Sequence, residues 1–169
     1  LLMKYTLHTH SIVVNMIVVK SKWKNILKTI FKDDIIAYVK YETPGVELAI
    51  ALENELQKFN EIPKIIILQN HGLIVTSDNS IDIKIITEYV LNKIEKFLNI
   101  DMSKYKLTNK ISQLFNSIEK SPNITYLCED KFLNEQLNSN YKLFFNTPFC
   151  PDTFVYCSVS SVIIKDLFD

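Results

Sequence analysis

Apolar and polar residues change period several times along this chain, and each change predicts an element. Residues 5–10 are short and β-prone, and Ser11 stands as an N-cap before an apolar helix through Val19. Trp23, Ile26, Leu27, Ile30 and Phe31 recur at 3.6-type spacing, which predicts an amphipathic helix. Residues 35–41 alternate weakly and read as a strand. Thr43 as N-cap, Pro44 at the first helical position and Glu47 in the first turn predict a helix to about Phe59, with Leu48, Ala49, Leu52 and Leu56 facing inward. Pro63 breaks the chain. Residues 65–68 are then a continuous aliphatic run, as expected of a strand buried on both faces. Asn70-His71-Gly72 interrupts that run, and residues 73–76 resume a strand. Residues 78–80 cap a long helix through about Leu98, with Ile83, Ile86, Tyr89, Val90, Ile94 and Phe97 on one face. Beyond Ser103 the pattern loosens: 106–120 helical, 124–128 extended, 130–137 helical, 154–164 partly strand-like.

Strands alternating with helices predict an α/β layered domain, helices against a sheet. The length of 169 residues supports one domain that buries roughly 70% of its unfolded surface. There is no internal repeat and no long linker. Lys plus Arg and Asp plus Glu both number 19, a formal net charge of +0, which speaks against a nucleic-acid binder acting through a broad positive field. All the basic residues are lysine, so this chain has no bidentate arginine clamp for phosphate. Cys128, Cys150 and Cys157 lack metal-type spacing and read as free thiols of a cytoplasmic protein. No apolar stretch approaches the ~20 residues of a membrane span. No small-residue cleavage site follows the apolar run 12–19, so a secretory signal is not expected. The chain starts Leu1-Leu2-Met3 and enters a strand almost at once, which reads as an incomplete N-terminus.

The candidate chemistry sits in the scarcest residues, 3 His and 2 Gly. His8 and His10 form His-x-His on a predicted strand, so both point to one face, roughly 6.6 Å apart. Leaning together, two such imidazoles can reach one metal ion. His71 ends the buried strand, directly before a glycine, where a sheet could bring it to the other two. Three neutral imidazoles with an open fourth position are the usual design of a catalytic zinc site. Taken alone, His-x-His is more simply read as unconnected histidines. Gly72 allows close backbone approach beside His71, and Gly45 opens a helix start whose N–H groups could face an anion or simply form a tight entry.

Three segments together resemble the class II aldolase/adducin family: His8-Thr9-His10-Ser11, residues 41–49 (YETPGVELA) and residues 68–75 (LQNHGLIV). The likeness covers residues 5–98 or so. It implies a three-layer α/β/α domain with a mostly antiparallel or mixed central sheet, commonly assembled as a homotetramer. It also implies that His8, His10 and His71 bind zinc or another divalent transition metal. Adducin-like members lack these histidines, so their presence points to the enzyme branch. The implied activity is a metal-dependent lyase of aldolase type, acting on a sugar or sugar phosphate through a stabilised enediolate; epimerases and dehydratases of the family begin with the same chemistry. The family's acid/base glutamate and phosphate-binding loops lie before the His-x-His, upstream of this chain, so no catalytic base is assigned. Glu42 and Glu47 read as solvated or helix-start charges.

Residues 1–100 are thus expected to form the metal-site core, N-terminally incomplete, with 101–169 a C-terminal extension packed on the same domain. The alternatives are a non-catalytic interaction protein on the same fold, an inactive truncated remnant, or, last, a three-histidine zinc hydratase or hydrolase on another fold. Expected partners are a small-molecule sugar or sugar phosphate and further copies of the chain, with neither nucleic acid nor membrane.

Overall fold

A computed structural model describes residues 2–118 and 122–146. The chain divides into two compact units, Leu1–Asp101 and Met102–Asp169.

In the first unit the elements are β1 (Tyr5–Thr9), α1 (Ile12–Val18), α2 (Trp23–Ile30), β2 (Ile36–Val39), α3 (Val46–Leu56), β3 (Ile65–Leu68), β4 (Gly72–Ser77) and α4 (Ser80–Leu98). The strands form one mixed sheet in the order β1-β4-β3-β2, with β2 and β3 parallel and both pairings of β4 antiparallel. The fold is α/β, as the alternation of periods predicts. Every residue of β2, β3 and β4 is buried, which explains their unbroken aliphatic runs. One sheet face gathers Ala37, Val39, Ile66, Leu68 and Ile74 under the half-buried Leu48, Leu52 and Leu56 of α3. The other face packs against α1, α2 and α4, whose buried residues include Val14, Ile17, Leu27, Val90 and Ile94. Helices therefore cover the sheet from both sides. A fully buried Leu or Ile contributes ~1.5–3 kcal/mol by leaving water, so these contacts supply most of the driving force.

Several local expectations change. The third helix begins at Val46 with Gly45 as its N-cap, and neither Thr43 nor Pro44 is helical. Gly45 takes φ 140° and ψ −140°, a conformation open essentially to glycine alone, so the chain turns there before the helix begins. Ala49 is exposed, and Ala51 packs inward instead, since it lies three residues from Leu48 and so on the same helix face. In α4, Tyr89 and Phe97 are exposed rather than on the buried face. The Tyr89 hydroxyl instead donates to both carboxylate oxygens of Asp34 (2.8 and 2.9 Å), and Lys93 pairs with the same carboxylate at 2.9 Å.

In the second unit α5 spans Ser103–Ile118 and α6 spans Lys131–Asn146 with non-helical backbone at Asn140. Residues 124–128 form no strand. Side chains tie that stretch to α5: the Thr125 N–H donates to Ser112 Oγ and its hydroxyl to the Thr108 carbonyl, both at 2.9 Å. Polar side-chain bonds here replace a ladder. Cys128 is a free, exposed thiol. Cys150, Cys157 and residues 154–164 lie outside the described residues.

Candidate metal centre

The strand directions decide where the site lies. Since β1 and β3 both run antiparallel to β4, and β2 runs parallel to β3, the carboxyl ends of β1, β2 and β3 meet at one end of the sheet. Open α/β sheets characteristically bind ligands there. His8 and His10 come from the end of β1, and His71 from the turn after β3.

That turn, Gln69-Asn70-His71, is a three-residue hairpin loop with Asn70 at φ 53°. Asparagine tolerates this left-handed conformation, which the tight reversal requires. The loop is fixed on two sides. The Asn70 N–H donates to the carbonyl of Val18 at the end of α1 (3.3 Å), and the Gln69 N–H donates to the carbonyl of Val39 (2.9 Å). The Gln69 side-chain carbonyl accepts the Tyr41 N–H at 3.1 Å, so the chain leaving β2 is pinned to the turn bearing His71.

Across the sheet, Gly72 has no room for a side chain. A Cβ there would stand 2.3 Å from the Thr9 carbonyl oxygen and 3.2 Å from Cδ2 of the His10 ring. Glycine is kept because β1 lies that close, and this closeness places the three rings together.

The rings form a near-equilateral triangle, with centroid separations of 4.8, 4.9 and 4.8 Å. One ligand nitrogen from each lies within 4.8 Å of the others. His8 Nδ1 is 3.0 Å from the carbonyl of Leu73. A carbonyl only accepts, so Nδ1 carries a proton in that bond and Nε2 is the ring nitrogen turned toward the other two histidines. Nε2 of His8 is 3.0 Å from Nε2 of His10. Burial, followed by the neighbouring His8 and His10 charges, holds His71 below the ordinary histidine range, so its ring stays neutral to lower pH. Convergent imidazole nitrogens with one ring orientation set by a backbone carbonyl are the donor set that suits zinc or a similar divalent transition ion. The residues present therefore fit the group the sequence suggests. His8 and His10 are exposed and His71 is half-buried, leaving the cluster accessible to a ligand.

The structure thus draws the three candidate histidines together. Glu42 and Glu47 are exposed around the start of α3. The Leu73 carbonyl, Gln69 and Val18 were not singled out by sequence reasoning. Two of them act through backbone carbonyls that carry no side-chain signature, and only the folded chain brings them to the site.

A sheet of this topology with three histidines at its carboxyl end defines an α/β domain with a candidate metal centre. Residues 3–95, more than half of the chain, match the family described as the Class II Aldolase and Adducin N-terminal domain, and the chain belongs to that family. Similar solved structures include the N-terminal class II aldolase domain of a conserved protein from Thermoplasma acidophilum, at 20% identity and TM-score 0.48, covering 58% of this chain and 44% of that one. Another is an aldolase II superfamily protein from Pseudomonas syringae, at 15% identity and TM-score 0.39, covering 80% of this chain and 47% of that one. The chain spans less than half the length of either. No curated protein matches it. Among the described residues, no helix is long and apolar enough to cross a membrane.

Proposed function

We propose that this chain carries the metal-binding core of a class II aldolase-type lyase, with zinc or another divalent transition ion held by His8, His10 and His71. The observation that supports this reading above all is the convergence of three imidazole nitrogens within 4.8 Å. When bound, such an ion supplies Lewis acidity toward the carbonyl and hydroxyl oxygens of a sugar or sugar phosphate. The protein's own part is to hold three imidazole donors in place. The Leu73 carbonyl fixes the His8 ring orientation, Gly72 lets β1 approach, and the Val18 and Val39 carbonyls anchor the turn under His71. The exposed side of His8 and His10 leaves room for substrate oxygens. In the same reading the chain works as a homo-oligomer in the cytoplasm, and residues 101–169 are a C-terminal extension of the core.

The test is zinc uptake followed by turnover. Purified protein should take up about one zinc per chain, and His71→Ala should take up none. Protein that retains no divalent transition ion, even after its addition, would sink the metal-centre reading. Bound zinc without cleavage of any ketose phosphate would leave a non-catalytic binding module on the same fold.

A further inference from the structure

We propose that Thr76 sets the register of β1 and thereby gathers the three histidines; this rests on the metal-centre reading above. Four of the five residues of β1 are exposed, and the strand lies at the sheet edge. A strand without a buried face specifies its register weakly, and a slip by one residue turns every side chain to the opposite face. For β1 that slip would carry His8 away from the face it shares with its partner Ile74. Something beyond apolar burial must therefore hold the alignment.

Thr76 of β4 is fully buried, and its hydroxyl sits among three groups of the N-terminal segment. It donates to the Tyr5 carbonyl at 3.0 Å and accepts the Met3 N–H at 3.0 Å. The Thr6 hydroxyl lies 3.1 Å away and, with the Thr76 proton already committed, is the donor in that contact. One proton and two lone pairs are all a hydroxyl has, so the set is complete. In register, Thr6 stands opposite Thr76. A slip by one would bring the Tyr5 or Leu7 side chain onto this face opposite Thr76 and turn the Thr6 hydroxyl to the other, so the buried hydroxyl would lose its one side-chain partner and have its two backbone bonds displaced. Thr76 lies two residues along β4 from Ile74, which stands opposite His8, so it acts by aligning the strand. It is a positioning residue.

The test compares the full chain with Thr76→Val, Thr76→Ser and Thr6→Val. Zinc titration, the absorption of bound Co(II), and thermal unfolding of the metal-free protein are measured for each. Thr76→Val should weaken zinc binding by roughly tenfold or more and alter the Co(II) bands, because only in-register molecules present three ligands. Thr76→Ser, which keeps the hydroxyl, should bind like the parent. Wild-type affinity in Thr76→Val, even with a lowered unfolding temperature, would show that the hydroxyl only stabilises the sheet and would overturn the proposal. If Thr76→Val does not fold, Thr6→Val decides: roughly two- to fivefold weaker binding supports the proposal and unchanged binding overturns it. Should the wild type itself take up no metal, the metal-centre reading fails separately. Register control is then read from amide hydrogen exchange, which Thr76→Val must speed in β1 and leave unchanged in β3.

Discussion

β1 and the β3–β4 hairpin both send histidines to one end of the sheet, but they are held there by different forces. Both strands of the hairpin are buried along their whole length and packed on both faces. Its position is fixed many times over by side-chain packing, where a shift by one residue would disturb every contact at once. β1 lies on the edge, mostly exposed, and is located by a backbone ladder, a close approach at Gly72 and the bonds of one hydroxyl. The cluster of histidines therefore joins a rigid wall to a weakly held strand. Stability should depend chiefly on the wall, and ligand geometry chiefly on the edge.

The most direct way to break this comparison is to truncate one apolar side chain in each region. Ile66 of β3 is fully buried, and Ile66→Ala should cost ~2–5 kcal/mol. Leu7 of β1 is 37% exposed, and Leu7→Ala should cost ~1 kcal/mol or less. Urea unfolding of the two variants measures both, and equal losses would refute the distinction. Next in size is Gly72→Ala, where the added methyl meets backbone rather than a flexible side chain. We expect ~1–3 kcal/mol of lost stability together with impaired zinc uptake, since β1 must retreat from β4. Unchanged thermal unfolding and zinc titration would show that the close contact at Thr9 is not what places the rings.

The wall was the more legible half. Residues 65–68 announce themselves as a buried strand through composition alone, 73–76 as a resumed strand, and α4 through its period, because burial on both faces or along one stripe leaves a pattern. The convergence of His8, His10 and His71 could be anticipated from alternation in β1 and from the glycine after His71. What stayed hidden depends on tertiary context. Nothing local distinguishes Thr43 from Gly45 as the helix start until the backbone at Gly45 is seen. Nor does sequence show that Tyr89 on α4 points outward to bond Asp34, or that 124–128 is bonded to Ser112 and Thr108 rather than to a strand. Thr76 looks like any β-branched strand residue. Its role exists only once Met3, Tyr5 and Thr6 have been brought beside it.

Two smaller effects sharpen the contrast from the wall side. Tyr38 of β2 is 8% exposed, and burial, with the Asp34 charge second, pushes its phenol up to about 12. Below the unfolded value of 10.0 both states keep the proton, and this contribution is fully present. As pH rises from there toward about 12 the unfolded chain ionises first, and stability falls by up to ~2 kcal/mol. Tyr38→Phe should flatten this alkaline decline in unfolding experiments at successive pH values; a decline of the same depth in the variant would assign it to other groups. The smallest change is expected at Lys93. Its ammonium pairs with Asp34 and lies over the rings of Phe31 and Tyr89, in a partly exposed position. Lys93→Met keeps the stem and removes the charge, and should cost under ~1 kcal/mol by thermal unfolding. A loss as large as that of Ile66→Ala would mean that the α4 surface, and not the buried sheet, dominates stability.

The pairing of the first strand with the fourth has a kinetic consequence. His8 meets the Leu73 carbonyl across 65 positions of chain, and Thr6 meets Thr76 across 70. Contacts so distant in sequence require closure of a long loop, and they form slowly compared with the local turn between β3 and β4. The histidine triangle should accordingly be among the last features to assemble during folding. Co(II) added to refolding protein would then develop its absorption after the far-ultraviolet signal of the helices has recovered, making colour a clock for the final closure of the sheet.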